Sequence, residues 1–249
     1  MKYELGIYDL TNCSSLNFKD RILIYKNAGF KELGLYLDEK YMQYNENYVD
    51  IINFARQQGL SIKQVHIDYK ISNLICDKTT DEYFKYIDQK ANECKLLKVN
   101  FMVLHASKGD NPPRITKDQL EKLKNTTKKY PEVIFCFENV RNNSNLNDIL
   151  SLNLPNIKMC YDLGHAHAYG DETDIFERFN NFIVCSHLHN NFGKDDHNVL
   201  KNGEINYNPI LAKLTKIDGA SNCVEAFPKS EKLLSKQQFK KFVNDCANF

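Results

Sequence analysis

The sequence lacks an excess of charge of either sign. Its 33 lysines and arginines nearly match its 32 aspartates and glutamates, giving a net charge of +1 over 249 residues. This balance provides no positive field to attract nucleic acid or an anionic membrane, so a DNA partner is not expected. A local basic groove is still compatible with the net charge. No apolar run approaches the ~18 residues that span a bilayer, and the segment MKYELGIYDL has no signal-peptide core. We therefore expect a cytoplasmic protein with no membrane partner.

Closely spaced cysteine pairs and domain linkers are also missing. The eight cysteines are scattered and form no CxxC pair, as expected for reduced thiols in a cytoplasm. No segment rich in proline, glycine or serine divides the chain. The sequence therefore predicts a single domain over residues 1–249, a length that fits the roughly 250 residues of a (β/α)₈ barrel.

Short apolar runs recur along the whole chain, and successive runs start roughly 24 to 40 residues apart, the length of one strand, one helix and two loops. Strands are predicted at residues 3–8, 32–37, 62–67, 99–105, 133–138, 157–162, 182–187 and 222–227. Helices are predicted at residues 18–28, 48–58, 81–97, 117–128, 144–152, 171–179, 209–214 and 235–247. Strict alternation indicates a parallel sheet, and eight units indicate an α/β fold that closes as a single TIM barrel.

Ionisable side chains concentrate where the predicted strands end. No histidine falls in a predicted helix, and each lies at or just past the carboxyl end of a strand: His66, His105, His165, His167, His187, His189 and His197. Four carboxylates occur at the same level: Glu138, Asp162, Asp195 and Glu225. In a barrel, these positions meet at one mouth, where the active sites of this fold lie. We also expect the long loop at residues 190–206 to cover or complete that site.

One histidine at such a position is most often a hydrogen-bonded structural residue. Their convergence changes this interpretation, because so many ionisable groups in one mouth cost free energy unless a cation compensates the carboxylates. Histidine with carboxylate suits Zn²⁺ or Mn²⁺, whereas carboxylate with water suits Mg²⁺. The sequence therefore predicts a divalent-metal site.

Four of these strand ends share a further pattern, because a cysteine precedes the ionisable residue by two positions. The cysteines are Cys136, Cys160, Cys185 and Cys223. Residues two apart in a strand face the same side, so each cysteine is expected to point into the barrel one layer below the mouth. Cysteine there acts as a small hydrophobic residue, too deep for ligation or redox chemistry at the mouth.

The motifs FEN, YDLGH, SHLHNN and VEAF, in this order and spacing, resemble those of the xylose isomerase-like barrels. This superfamily includes sugar isomerases, epimerases and endonuclease IV, and the resemblance covers nearly the whole chain. In the epimerase branch it implies a metal held by Glu138, Asp162, His187 and Glu225. The steps from Asp162 to His165 and from Asp195 to His197 also match. The segment KNGEIN resembles the family's Gly-Glu-Gly-x-Ile-Asp loop, with Asn202 and Ile205 in place of its glycines.

The chain also resembles endonuclease IV, which implies a site for two or three metal ions. The matching positions are His66, His105, Glu138, Asp162, His165, His187, Asp195, His197 and Glu225. Several features depart from these families. The second strand, ELGLYL, lacks the acidic end residue common in the isomerases. The chain is shorter than endonuclease IV and has no basic loop interleaved with aromatic residues to clamp DNA, and the segment DEKYMQYNENY is acidic and rich in tyrosine.

Two functions follow from the resemblance. The first is metal-dependent isomerisation or epimerisation of a small sugar or sugar derivative, with Glu138 and Glu225 exchanging the proton and His165 supporting the site. The alternative is endonuclease IV-like phosphodiester hydrolysis at abasic DNA by several zinc ions. A ligand-binding barrel without activity has no positive support. Candidate substrate contacts are His66, His105, Lys108, His189, Tyr8 and Phe227, with Tyr36, Phe192 and Arg114 as weaker ones. Barrels of this kind often pair, so a homodimer is expected.

Overall fold

A computed structural model describes residues 3–38, 46–76, 80–170 and 172–248. Within these ranges, eight parallel strands follow one another around a closed barrel, as the sequence predicts. The strands are β1 (Gly6–Tyr8), β2 (Glu32–Tyr36), β3 (Gln64–His66), β4 (Phe101–His105), β5 (Ile134–Glu138), β6 (Ile157–Asp162), β7 (Ile183–Leu188) and β8 (Ser221–Val224). Most of the acidic, tyrosine-rich segment at residues 38–48 lies outside the described residues.

Helices connect the strands on the outside of the barrel. In the described ranges they are α1 (Phe18–Ala28), α2 (Tyr48–Gln57), α3 (Thr80–Leu97), α4 (Lys117–Lys128), α5 (Ser144–Leu150), α6 (Leu163–Ala168), α7 (Glu172–Phe179), α8 (Asn208–Leu214) and α9 (Lys236–Ala247). All but α6 correspond to predicted helices. Across the described part of the chain, no helix combines the length and the apolar character needed to cross a bilayer.

Local capping explains where several of these helices begin and end. Asn17 accepts a hydrogen bond from the Asp20 backbone N–H at the start of α1, and Gly29 ends this helix in the left-handed conformation, with φ of 99°. Helices α4 and α9 each start with a capping box, in which a hydroxyl and a glutamine satisfy each other's backbone N–H groups. These caps are readable in the sequence, which is why these boundaries agree with prediction.

The short helix α6 corrects the expectation that no histidine lies in a helix, because His165 and His167 are both in it. It follows β6 without a loop. The side chain of Asp162, the last residue of β6, accepts a hydrogen bond of 2.6 Å from the backbone N–H of His165. An aspartate in this position caps a helix, so the chain turns directly from strand to helix. The two histidines remain at the mouth of the barrel.

The barrel interior is apolar on the side of β4 to β7. Cys136, Cys160 and Cys185 pack there against Phe101 and Val103 in a cluster separate from the main core. All three cysteines are fully buried, as is Cys223 on β8. The prediction that these residues lie inside the barrel, beneath the ionisable layer, is confirmed.

We expect these four thiols to react with an aqueous thiol reagent only after unfolding. Burial raises the pKa of Cys136, Cys160 and Cys223, which also disfavours the reactive thiolate. Burial acts on the pKa of Cys185 in the same direction, but hydrogen bonds from Cys136 and Cys160 lower this pKa, so the protection of Cys185 rests on its lack of exposure alone. The positions of the label are read by mass spectrometry after treatment with and without denaturant. Rapid labelling of these cysteines in the native protein would refute this packing.

The interior is polar on the side of β2, β3 and β8, at the end opposite the mouth. Glu32 is only 7% exposed and accepts a hydrogen bond from Ser221. Lys63, which is half-exposed, lies 3.9 Å from this carboxylate, and Cys223 is its other polar neighbour. Burial raises the pKa of Glu32 from its ordinary 4.5 to about 7, although Ser221 and Lys63 counteract part of this effect.

Replacing Glu32 with glutamine is expected to stabilise the protein at alkaline pH. A carboxyl group whose pKa is raised by folding costs no stability below its unfolded pKa, and the cost grows until the pH exceeds the folded pKa. The stability gain of Glu32→Gln should therefore be near zero at pH 4.5 and reach about 3 kcal/mol at pH 8. Urea denaturation of both proteins at several pH values measures this difference. A gain independent of pH would show that ionisation of Glu32 is not its cause.

Candidate active site

A cavity of about 530 Å³ opens at the carboxyl ends of the strands, within the size range of small-molecule sites. The loop after β1 forms one wall. The predicted site residues that line it are His66, His105, Glu138, His165, Asp195, His197, Glu225 and Phe227, together with Tyr36. Asp195 and His197 belong to the loop at residues 190–206, so this loop forms part of the cavity wall.

Four residues from neighbouring strands converge at the cavity floor. His187 Nδ1 lies 3.1 Å from Glu138 Oε1, 3.0 Å from Glu225 Oε2 and 3.8 Å from Asp162 Oδ2. Strand register places them together, since Asp162 and His187 are paired across β6 and β7. One potential ligand atom from each of the four residues lies within 4.8 Å of the others. This is the group that the family resemblance implies.

Buried atoms without partners show that this group fits a cation. Asp162 Oδ2 is buried and has no hydrogen-bond partner among the described residues. The ring of His189 is fully buried, and its Nε2 lies 3.1 Å from Asp162 Oδ1 without a hydrogen bond. A buried carboxylate oxygen left unpaired is costly, and coordination to a metal ion removes that cost.

The electrostatics of the group also favour a positive charge at its centre. Burial lowers the pKa of His187, but Glu225 and Glu138 outweigh burial and hold this pKa well above its ordinary value. Burial raises the pKa of each glutamate, yet the neighbouring histidines, His187 foremost, together outweigh burial and both pKa values lie below the ordinary one. The carboxylates are therefore ionised and attract whatever cation the site can take.

Three histidines at the mouth share one orientation. Each directs Nδ1 to a backbone carbonyl oxygen at 2.6–3.0 Å: His66 to Ile67, His165 to Asn139 and His197 to Glu225. A carbonyl can only accept, so Nδ1 carries a proton and Nε2 points into the cavity. His66 Nε2 lies 3.1 Å from Glu138 Oε2, the same oxygen that His105 Nε2 approaches to 3.0 Å.

A second group of possible ligands lies beside the first. It consists of His165, His189, Asp195 and His197, again with ligand atoms within 4.8 Å of one another. The rings of His189 and His197 stack at 3.9 Å. Burial lowers the pKa of His197, but the carboxylates of Asp195, Glu225 and Asp162 together outweigh burial and raise this pKa to about 9. Asp195 Oδ2 also lies 3.4 Å from His165 Nε2, so this carboxylate joins the two histidines.

Some predicted contacts lie away from the cavity surface. The prediction that Tyr8 lines the pocket is wrong, because its fully buried hydroxyl lies beneath the floor, 3.0 Å from His187 Nε2. Phe192 is 58% exposed outside the cavity, and Arg114 pairs with Asp148 on the surface. Lys108 is exposed near the rim, with Nζ 5.1 Å from the ring centre of Tyr69.

Other residues that shape the site were not predicted. Asn139 fixes the main chain of Asp162, since Oδ1 accepts from its N–H at 2.7 Å and Nδ2 donates to its carbonyl oxygen at 2.8 Å. A Cβ atom on Gly164 would overlap the ring of His189. Asn139 follows Glu138 in the motif FEN, and Gly164 lies in the motif DLGH. Their positions next to predicted site residues were the only sequence signal for a role in the site.

A sequence model of the xylose isomerase-like TIM barrel family matches residues 22–241. The chain belongs to this family. No curated protein matches the sequence significantly. The family assignment agrees with the closed eight-stranded barrel.

Several solved structures share this fold. An L-ribulose 3-epimerase superposes with a TM-score of 0.74 at 15% identity, covering 98% of this chain and 92% of the epimerase. The D-psicose 3-epimerase of Clostridium cellulolyticum H10, solved with D-tagatose, has a TM-score of 0.72 at 13% identity, with coverage of 98% and 96%. The probable 3-DHS dehydratase AsbF of Bacillus anthracis has a TM-score of 0.74 at 17% identity, with coverage of 98% and 99%. At these identities the likeness establishes the fold alone.

Proposed function

We propose that this protein is a divalent-metal-dependent isomerase or epimerase of a small sugar or sugar derivative. The observation that carries the proposal is the placement of two glutamates. Glu138 on β5 and Glu225 after β8 both direct an oxygen to within about 3 Å of His187 Nδ1 at the cavity floor. A substrate carbon above this point would have a carboxylate on each side, as proton removal and return on opposite faces require.

The second oxygen of each glutamate contacts side chains at the mouth of the barrel. Tyr36 donates a 2.6 Å hydrogen bond to Glu225 Oε1, while Glu138 Oε2 faces His66 and His105. Each carboxylate thus keeps one oxygen at the centre and is oriented by its other oxygen. This orientation is a condition for proton transfer at a defined carbon atom.

Glu138, Asp162, His187 and Glu225 would hold the metal ion, for which Mn²⁺ and Zn²⁺ suit the mixed donors and Mg²⁺ is a third candidate. When bound, a divalent ion supplies Lewis-acid polarisation of the substrate carbonyl. Around it, Glu138 and Glu225 move the proton, and the imidazole of His165 can stabilise developing charge. His66 and His105 offer polar contacts to substrate hydroxyls, and Phe227 offers an apolar face for the sugar carbons.

The proposal is tested by incubating the metal-loaded protein with a panel of ketoses in D₂O. An isomerase or epimerase of this type places deuterium at a carbon adjacent to the carbonyl, which NMR detects alongside the new sugar. Loss of water from a substrate without a returning proton would indicate a dehydratase, the activity named for one of the structural neighbours. No deuterium exchange with any sugar of the panel, under conditions where metal is bound, counts against the proposal.

The second group, around Asp195, favours one alternative. With the first group it would allow the two or three zinc ions of an endonuclease IV-like phosphodiesterase acting on abasic DNA. The net charge of +1 offers no general attraction for a duplex. Nicking of abasic duplex DNA by the purified protein, impaired in His66→Ala and His105→Ala, would favour this alternative. We also keep the homodimer and the cytoplasmic location as predictions.

A further inference from the structure

His187 differs from three other histidines of the site in how its ring is held. The rings of His66, His165 and His197 are fixed through Nδ1 by backbone carbonyl groups. In His187, Nδ1 faces the carboxylates, and the opposite nitrogen, Nε2, lies 3.1 Å from Gln64 Oε1 and 3.0 Å from the Tyr8 hydroxyl. A side-chain amide thus takes the place of a main-chain carbonyl.

The amide of Gln64 can take only one orientation. Its nitrogen lies 2.6 Å from Ser221 Oγ and 3.3 Å from the Ser221 carbonyl oxygen, which can only accept a hydrogen bond. The amide oxygen therefore faces His187. The Tyr8 hydroxyl donates its one proton to this same oxygen at 2.8 Å. Both oxygens next to His187 Nε2 are left as acceptors, so the proton of the neutral ring belongs on Nε2.

Beneath Gln64, the chain of hydrogen bonds continues in the same direction. Ser221 donates its hydroxyl proton to the buried carboxylate of Glu32, which leaves the lone pairs of Ser221 Oγ for the amide of Gln64. His187 thus donates to Gln64, Gln64 donates to Ser221 and Ser221 donates to Glu32. This chain of hydrogen bonds extends from the cavity floor to the opposite end of the barrel. Hydrogen bonds aligned in this way polarise and strengthen one another.

We propose that Gln64, anchored by Ser221 and Glu32, is a positioning residue that keeps the proton of His187 on Nε2 and presents Nδ1 as the metal-binding atom. The inference rests on the proposed function for the presence of a metal ion. An amide group inside a barrel is otherwise hard to explain, because burying it requires four satisfied hydrogen-bonding positions. Loss of such an outer partner weakens metal binding by about 10- to 100-fold in other metalloproteins.

Three variants separate this role from a general effect on folding. Gln64→Met has a similar length and removes both polar atoms. Gln64→Glu keeps an acceptor oxygen next to His187 Nε2 but replaces the amide donor to Ser221 with a second acceptor, so it should lower the thermal midpoint while it retains the contact to His187. Val103→Ala is a matched control, because Val103 is fully buried inside the same barrel but packs in the apolar cluster with Cys136, Cys160 and Cys185.

Metal-free proteins are titrated with Co²⁺, and binding is followed by its visible absorption. We expect the Kd of Gln64→Met to rise by about 10- to 100-fold, with an altered absorption spectrum, while Gln64→Glu stays close to the wild type. Val103→Ala should lower the thermal midpoint and leave the Kd unchanged. Equal Kd values for wild type and Gln64→Met would overturn the positioning role and leave the metal site standing.

The wild-type protein gives an independent test that needs no variant to fold. In the Zn²⁺-loaded protein, NMR correlations between the carbon-bound protons and the nitrogens of the imidazole ring should show that His187 is protonated at Nε2 and binds the metal through Nδ1. Binding through Nε2 would overturn the proposal. A wild-type protein that binds none of Co²⁺, Zn²⁺, Mn²⁺ and Mg²⁺ would contradict the proposed function itself, and the role of Gln64 with it.

Discussion

Replacing either Glu138 or Glu225 with glutamine should reduce deuterium exchange into the ketose substrate by about 10²- to 10⁴-fold, the usual contribution of a general acid or base. Glutamine has nearly the shape of glutamate and cannot accept a proton at neutral pH. Both residues are buried and ionised at the cavity floor, with one oxygen each within about 3 Å of His187 Nδ1. The exchange is measured by NMR in D₂O with saturating metal.

The matched control for both variants is Glu204→Gln. Glu204 is an exposed carboxylate in the loop at residues 190–206 and does not line the cavity. Its replacement should leave exchange unchanged. Metal content is measured in each variant, so that loss of the ion is separated from loss of the proton-transfer group. Wild-type exchange in both Glu138→Gln and Glu225→Gln would sink the proposed acid–base pair.

Gly164→Ala should destabilise the protein by about 3 kcal/mol, the upper end of the cost of overpacking a core. Gly164 lies in α6, where intrinsic helix propensity alone would make alanine stabilising by about 1 kcal/mol. The ring of His189 occupies the space that the new methyl group needs. This ring is fully buried and stacked on His197, so it cannot move aside. Helix propensity and steric overlap therefore predict opposite signs for the change in the free energy of unfolding, and the overlap with His189 should dominate.

Thermal and urea unfolding of Gly164→Ala, His189→Ala and the double variant measure this effect. Removing the imidazole relieves the overlap, so the double variant should be more stable than the sum of the single changes. Additive changes, or a stabilised Gly164→Ala, would show that this glycine has no role in accommodating His189.

The sequence predicted the barrel because its signals are local. Each strand is a short apolar run, and the caps of α1, α4 and α9 lie within a few residues of the helix starts. The convergence of the candidate ligands was also predictable, since Glu138, Asp162 and His187 lie at the carboxyl ends of their strands and the topology brings parallel strand ends to one mouth.

The support of the site was not predictable, because it depends on contacts between distant positions. Gln64 reads as an ordinary polar residue of a strand until Ser221, 157 positions later, is placed beside its amide. Tyr8 was expected at the cavity surface, but the strand β1 ends one layer lower and the hydroxyl reaches His187 from below. A pattern of alternation gives the side of the barrel that a residue faces and not its depth.

Metal content per chain tests the proposed metal centre most directly, and elemental analysis of protein purified without chelator or added metal measures it. We predict about one divalent ion per chain in the wild type and in His197→Ala, and almost none in Asp162→Asn. About two or three zinc ions per chain, with one lost in His197→Ala, would contradict the single-ion isomerase or epimerase. This result would favour the phosphodiesterase. A wild-type protein that neither retains nor takes up a divalent ion would contradict both.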